Sequence, residues 1–276
     1  MTTTALTGVH PSAGAAQALR SEWVKLRTVR STTWSLLLFV GISILFTSLL
    51  TSGSSTEGGS PGHGGDNDIV MDSLAGIWFG AIAAAVLGVL VITSEYSTGM
   101  IRTTFAANPR RRTVLAAKTL VVGGVVLLVG LATSAACFQV GQWFLRGNGF
   151  NYEGGYPAVT LADEDALRAV LGTGVYLGLL AVFSLGVGAV LRHTAGAITL
   201  VLASLLAPVI ALNFLPEGIA DWVEKYCLMG AGLAIQQTVE RDDNIGLSPA
   251  GGLAVVTAYA VVALVIALVA IGRRDA

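Results

Sequence analysis

The chain has 276 residues, 54% of them hydrophobic and 12% charged, with a formal net charge of −1 and a mean hydropathy of +0.73. Soluble domains carry roughly 25% charged residues, so an ordinary soluble enzyme is excluded. The apolar residues gather in six stretches without Asp, Glu, Lys or Arg, at 33–50, 73–92, 119–145, 170–191, 195–215 and 252–272. A helix needs about 20 such residues to cross a hydrocarbon core of about 30 Å, whereas a barrel strand spans with about 10 residues of alternating character. The expected class is an all-α polytopic membrane protein with six transmembrane helices. Its connections are too short for a folded soluble domain.

Residues 1–14 are rich in Thr, Ala and Gly and read as a loose tail. Residues 15–31 read as an amphipathic helix, with Leu19, Trp23 and Leu26 on one face and Arg20, Glu22, Lys25 and Arg27 around it. Such a helix suits the membrane surface, with Trp23 at headgroup depth. Residues 32–276 then form the six-span domain. About thirty residues precede the first apolar run, and no Ala-x-Ala site follows it, so the first span is expected to stay uncleaved.

The loop between spans one and two is Gly/Ser-rich, and its His63, Asp66 and Asp68 lack the spacing of a metal-ligand set; no metal is expected. The connection 93–118, TSEYSTGMIRTTFAANPRRRTVLAAK, carries a small apolar face of Met100, Ile101 and Phe105. Asn108 can cap the next helix with Pro109 at its first position, and Arg110, Arg111 and Arg112 follow on its first turns. In the loop 146–168, which holds Tyr152, Tyr156 and Pro157, Asp163, Glu164 and Asp165 are placed to meet the dipole of the fourth spanning helix. Spans four and five meet in a tight turn where His193 reads as a solvated residue. In 216–251, Ile219, Trp222, Tyr226, Met229 and Leu233 recur at helical spacing over a length too short to span. They predict a re-entrant or interfacial helix, broken by Gly230 and Gly232.

Lys and Arg in short connections set orientation. With both termini in the cytoplasm, 12 of the 16 basic residues lie inside and 14 of the 17 acidic residues outside. The near-zero total therefore hides a basic inner and an acidic outer surface.

The chemistry of most enzymes is missing. Hydrolysis of ATP on a phosphate-cradling loop needs G-x-x-x-x-G-K-[ST], yet before Lys118 and Thr119 stand Ala117 and Arg112 where Gly is required. Ser184, between Phe183 and Leu185, has no histidine at its depth to act as a base. The six apolar runs hold no Asp, Glu, Lys, Arg or His, which argues against ion coupling. Cys137 and Cys227 lack the density of a disulfide scaffold and are read as bystanders. Glycines such as Gly123, Gly124, Gly174, Gly178, Gly186 and Gly188 permit close helix packing. Aromatic and weakly polar groups, Trp78, Phe79, Phe183, Asn213 and Phe214, are the candidates for a substrate path.

The stretches SEWVKLRTVRSTTW and ITSEYSTGMIRTTFAANPRRRTVLAAK closely resemble the permease subunits of ABC-2-type exporters (type V exporter-like) from high-GC Gram-positive bacteria. The resemblance implies a multi-pass protein of the bacterial cell membrane. It further implies a dimer of permeases, usually identical, joined to two copies of a separate ATP-binding subunit. ATP and Mg would be held by that partner, with no cofactor on this chain, no catalysis of its own and no nucleic acid. On this resemblance Glu22, Trp23, Lys25 and Arg27 lie on a connecting helix. Glu95, Tyr96, Ser97, Thr98, Met100, Ile101, Arg102, Thr103 and Thr104 form a cytoplasmic coupling element, with Glu95 and Arg102 as polar contacts to the ATPase. Spans two and five line a path between protomers for a drug, peptide or lipid-like substrate. A self-sufficient secondary transporter or channel, and a membrane protein that only senses or anchors a partner, are the competing readings.

Overall fold

The computed structural model describes residues 14–54, 68–107, 110–151, 156, 158–239 and 247–273. All regular structure among them is helical. Six helices are long and apolar enough to cross a membrane: α2 (Arg30–Ser52), α4 (Ile77–Ser97), α6 (Arg111–Gly147), α7 (Glu164–Leu191), α8 (Thr194–Ala211, extended by a 3-10 turn to Phe214) and α11 (Pro249–Arg273). The chain is an all-α, multi-pass membrane protein. The shorter helices are α1 (Ala15–Thr28), α3 (Ile69–Ser73), α5 (Met100–Ala107), α9 (Glu217–Tyr226) and α10 (Leu228–Leu233).

The spanning helices outrun the apolar stretches, because a backbone ladder does not end where hydropathy falls. Helix α4 continues through Glu95, α6 takes in Lys118 and α7 begins at Glu164. The apolar runs are free of Asp, Glu, Lys, Arg and His, but the helices that contain them are not. Helix α6, at 37 residues, is about 55 Å long and projects beyond a ~30 Å core. Its N-cap is Arg110; Asn108 and Pro109, expected to cap it, lie outside the described residues, as do His63, Asp66, Tyr152 and Pro157. The second span starts at Ile77 instead of 73, since α3 and a turn at 74–76 come first.

Helix α7 is the axis of the bundle, packed against α6, α4 and α11, with α2 laid across α4 and α6. Small residues allow this closeness. A Cβ on Gly174 or Gly178 would press on Leu131 or Leu127 of α6, one on Gly186 on Ala263 of α11, and one on Gly188 on Ile92 of α4. Gly123 likewise faces Val182, but a Cβ on Gly124 would meet nothing within 4 Å among the described residues. Helix α2 turns Phe39, Ser43, Thr47 and Thr51 inward at intervals of four. Ser43 Oγ is satisfied within the helix, donating to Phe39 O at 2.8 Å, while Thr47 Oγ1 accepts the amide of Gly76 at the start of α4 at 3.2 Å.

At the end of the bundle opposite α1, the predicted short helix is two helices. The break falls at Cys227, whose thiol caps α10 by accepting from Gly230 N at 3.2 Å. Gly230 and Gly232, expected to end the helix, sit inside α10 because they are contact points. Met229 is buried, while Ile219 and Trp222 on α9 stay exposed, so the five apolar residues do not share one face. Gly232 lies flat on the ring of fully buried Tyr176; an added Cβ would come within 2.0 Å of it. Gly232→Ala should cost about 1–3 kcal/mol, read as a lower unfolding midpoint in detergent. Gly218→Ala on α9, with nothing within 4 Å, should be neutral or slightly stabilising.

The segment leading into α3 is tied to the same region. Asp68 Oδ1 accepts from Val70 N at 3.1 Å and Met71 N at 3.0 Å, capping α3, and from Thr238 Oγ1 at 2.7 Å. Its Oδ2 accepts from the amides of Thr238 and Val239. This carboxylate, whose spacing from His63 fits no metal-ligand set, is a clasp between two connections. Among the described residues no three His, Cys, Asp or Glu cluster as metal ligands.

Candidate functional site

The basic end of the bundle holds a buried network of two acids and two lysines. Helix α1 breaks from α2 at Val29, which is extended (φ −79°, ψ 108°), so α1 can lie against the bundle instead of continuing α2. The face it turns inward is Ala18 and Glu22, one turn apart, with Lys25 and Leu26 half-buried a turn later. Periodicity pointed to Leu19, Trp23 and Leu26. Trp23 and Val24 are in fact exposed, the setting of a helix lying against lipid. Arg27 is exposed as well.

A charged edge can pack inward because its partners wait there. Lys118 Nζ, at 2% exposure, donates to Glu22 Oε2 and, at 2.8 Å, to Glu95 Oε1. Lys25 Nζ donates to Glu22 Oε1 at 2.8 Å, Glu95 Oε1 at 3.1 Å and Thr104 Oγ1 at 3.2 Å. The four side chains belong to α1, α4 and α6, and Thr104 adds α5. Burial pulls the Lys25 ammonium down, but Glu22 and Glu95 together hold it above its ordinary value. The formal charges cancel, which is what lets them persist away from water.

Glu95 is 3% exposed and engaged by both lysines, so in this fold its carboxylate serves the internal network. The other residues of 96–104 fall in three settings. Tyr96 and Ser97 close α4, Tyr96 with Arg192 above its ring at 5.4 Å. Thr98 and Gly99 make the turn, Gly99 at φ +71° where a side chain would be strained. Met100 to Thr104 open α5, with Ile101 buried, Thr104 half-buried, and Met100, Arg102 and Thr103 exposed. Arg102 thus keeps the exposure that an intermolecular contact needs.

Lys118 was missed as a site residue. The signal was present: it is the single basic residue within LAAKTLVV, at the mouth of a 27-residue apolar run, whereas Arg110, Arg111 and Arg112 stand together before it. Arg111 Nη1 reaches the carbonyl of Ile271 at 3.3 Å, near the end of α11. His193, exposed, caps α8 by accepting from Gly196 N at 3.1 Å.

The candidate path residues occupy three settings, one of them that of Phe183, which meets Tyr259 of α11 edge-on at 6.2 Å. Phe79 stacks on Phe46 of α2 at 3.7 Å and meets Trp78 edge-on at 5.2 Å, so this pair serves the α2–α4 contact. Asn213 and Phe214 sit on the 3-10 turn after α8, with Phe214 83% exposed. Helix α8 is the least enclosed of the six spanning helices, while α4 and α7 are the most. Cys137 and Cys227 are both free and buried.

No family model matches the chain, and no curated protein matches it.

Proposed function

We propose that this chain is the transmembrane permease subunit of an ATP-driven exporter of the ABC-2 type, residing in a bacterial cell membrane with both termini cytoplasmic. It moves a drug, peptide or lipid-like molecule and does no chemistry of its own. A second copy completes the pathway, and two separate ATP-binding subunits hold ATP and Mg. The observation that carries the reading is the ionic network. It fastens α1 and α5, the two helices outside the bundle at its basic end, to α4 and α6 inside it. A push on α5 would reach the bundle through Thr104, Lys25 and Glu95 and through the direct α5–α4 turn, as an interface-driven change of access requires.

Arg102, exposed on α5, is the expected contact to the ATPase. Arg102→Ala should lower recovery of the co-purified ATPase roughly tenfold or more, the worth of a hydrogen bond to a charged group. The unfolding midpoint should stay unchanged. Unaltered recovery would remove Arg102 from the interface.

One observation favours a second reading, a self-sufficient ion-coupled carrier: buried ionisable groups within membrane helices are a mark of ion pathways. Here the four groups neutralise one another and lie at one end of the bundle, which fits a structural link better than a relay.

A further inference from the structure

Gln139 points outward from a membrane helix. It lies inside the apolar run 119–145 and is exposed on α6. One turn on, Trp143 is 71% exposed, the setting of an aromatic ring at headgroup depth, and Gln139 stands about 6 Å deeper. Asn148 fixes the level independently. Its Nδ2 donates to the carbonyls of Thr51 at 2.9 Å and Ser52 at 3.1 Å, so α6 and α2 end together. Gln139 comes nine positions before Asn148, about 13 Å below that end and within a hydrocarbon core of about 30 Å.

Polar side chains elsewhere on these helices are satisfied within the chain. Gln142 is buried and donates to Ser73 Oγ at 2.9 Å. The hydroxyls of Ser48 on α2 and Thr257 on α11 donate to Ile44 O at 2.8 Å and Leu253 O at 2.7 Å, four residues back. Gln139 has no hydrogen-bond partner among the described residues. Its amide carries two N–H donors and a carbonyl acceptor, and lipid tails satisfy neither. The residues beside it are small: Ala132 is exposed and Ala136 half-exposed on the same face, where a second backbone can come close.

We propose that the α6 face of Ala132, Ala136 and Gln139 binds the same face of a second copy of this chain in the bilayer, with the two Gln139 amides hydrogen-bonded to each other. A primary amide is its own complement: an N–H of each donates to the carbonyl oxygen of the other across a two-fold axis. Both copies insert the same way round, so a second copy brings a matching amide to the same depth. The contact is separate from the α4 and α8 pathway of the proposed exporter and does not rest on it.

The test is disulfide trapping of the purified full chain in lipid vesicles, with linked peptides identified by mass spectrometry. Ala132→Cys leaves Gln139 in place and should yield a 132–132 link under mild oxidation, well above the 262–262 link from Val262→Cys, an exposed position on α11. Adding Gln139→Leu should lower the 132–132 yield roughly fivefold, the worth of two interhelical hydrogen bonds in a bilayer, without moving the unfolding midpoint. Gln139→Asn should retain most of it. A 132–132 link no more frequent than the 262–262 link, or one indifferent to Gln139→Leu, overturns the proposal. Ala132→Cys trapped in cell membranes on a different protein, in place of its twin, overturns the second copy as the occupant.

Discussion

Replacing Lys118 by Met should destabilise the folded chain by about 3–5 kcal/mol, the cost of breaking a buried ion pair from one side. Lys118 is the most enclosed of the four charged side chains and touches both acids. Without it Glu22 and Glu95 face each other across α1 and α4 with Lys25 alone between them. The measurement is the unfolding midpoint in detergent, converted to free energy where unfolding is reversible. Removing charge in balance should cost less: Lys118→Met combined with Glu22→Gln leaves one acid and one lysine. A shortfall from additivity would measure the coupling directly. Arg112→Ala, at an exposed position on the same helix, should stay within about 0.5 kcal/mol of the unaltered chain. A Lys118→Met chain as stable as that control would refute the network as a structural element.

Asp68→Ala should cost about 3 kcal/mol, with roughly 1 from the lost cap of α3 and the rest from bonds to a charged acceptor. Five donors converge on this carboxylate, two from α3 and three from Thr238 and Val239. They join the entry to the second span to the segment after α10. The amides of residues 228–239 should therefore exchange with solvent faster in the variant, while those of α7 keep their protection. Exchange unchanged at 228–239 would mean that α10 and its following turn are held by Gly232 on Tyr176 and Gln236 on Thr173 without the clasp.

Local pattern carried much of the architecture. Each apolar run corresponds to a spanning helix, and the 3.6-residue period marks α1 and the stretch of α9 and α10 as helical. What pattern could not carry was partnership across distance. Glu22 and Lys118 are 96 positions apart, and Asp68 and Thr238 are 170 apart. From composition alone Glu22 and Glu95 are solvated residues at helix ends, and Lys118 is one more inward charge. Only the fold of α1 back onto α4 and α6 makes them one buried group. The same limit explains Gly230 and Gly232. Glycine breaks helices by its backbone freedom, yet where a fully buried tyrosine ring lies on the helix surface the absence of a Cβ is what matters. Tyr176, which supplies that ring, is 56 residues earlier than Gly232 and gave no local sign of it.

In the proposed role this chain would be the membrane half of a two-part, ATP-driven machine whose basic end receives the push. Native mass spectrometry of the tagged chain, drawn gently from the membranes it is native to with nucleotide trapped, tests it most directly. Two copies of this chain with two copies of a separate ATP-binding protein are expected, in an assembly weakened by Arg102→Ala. Recovery of this chain without an ATP-binding partner, across several detergents and with nucleotide present, would contradict it.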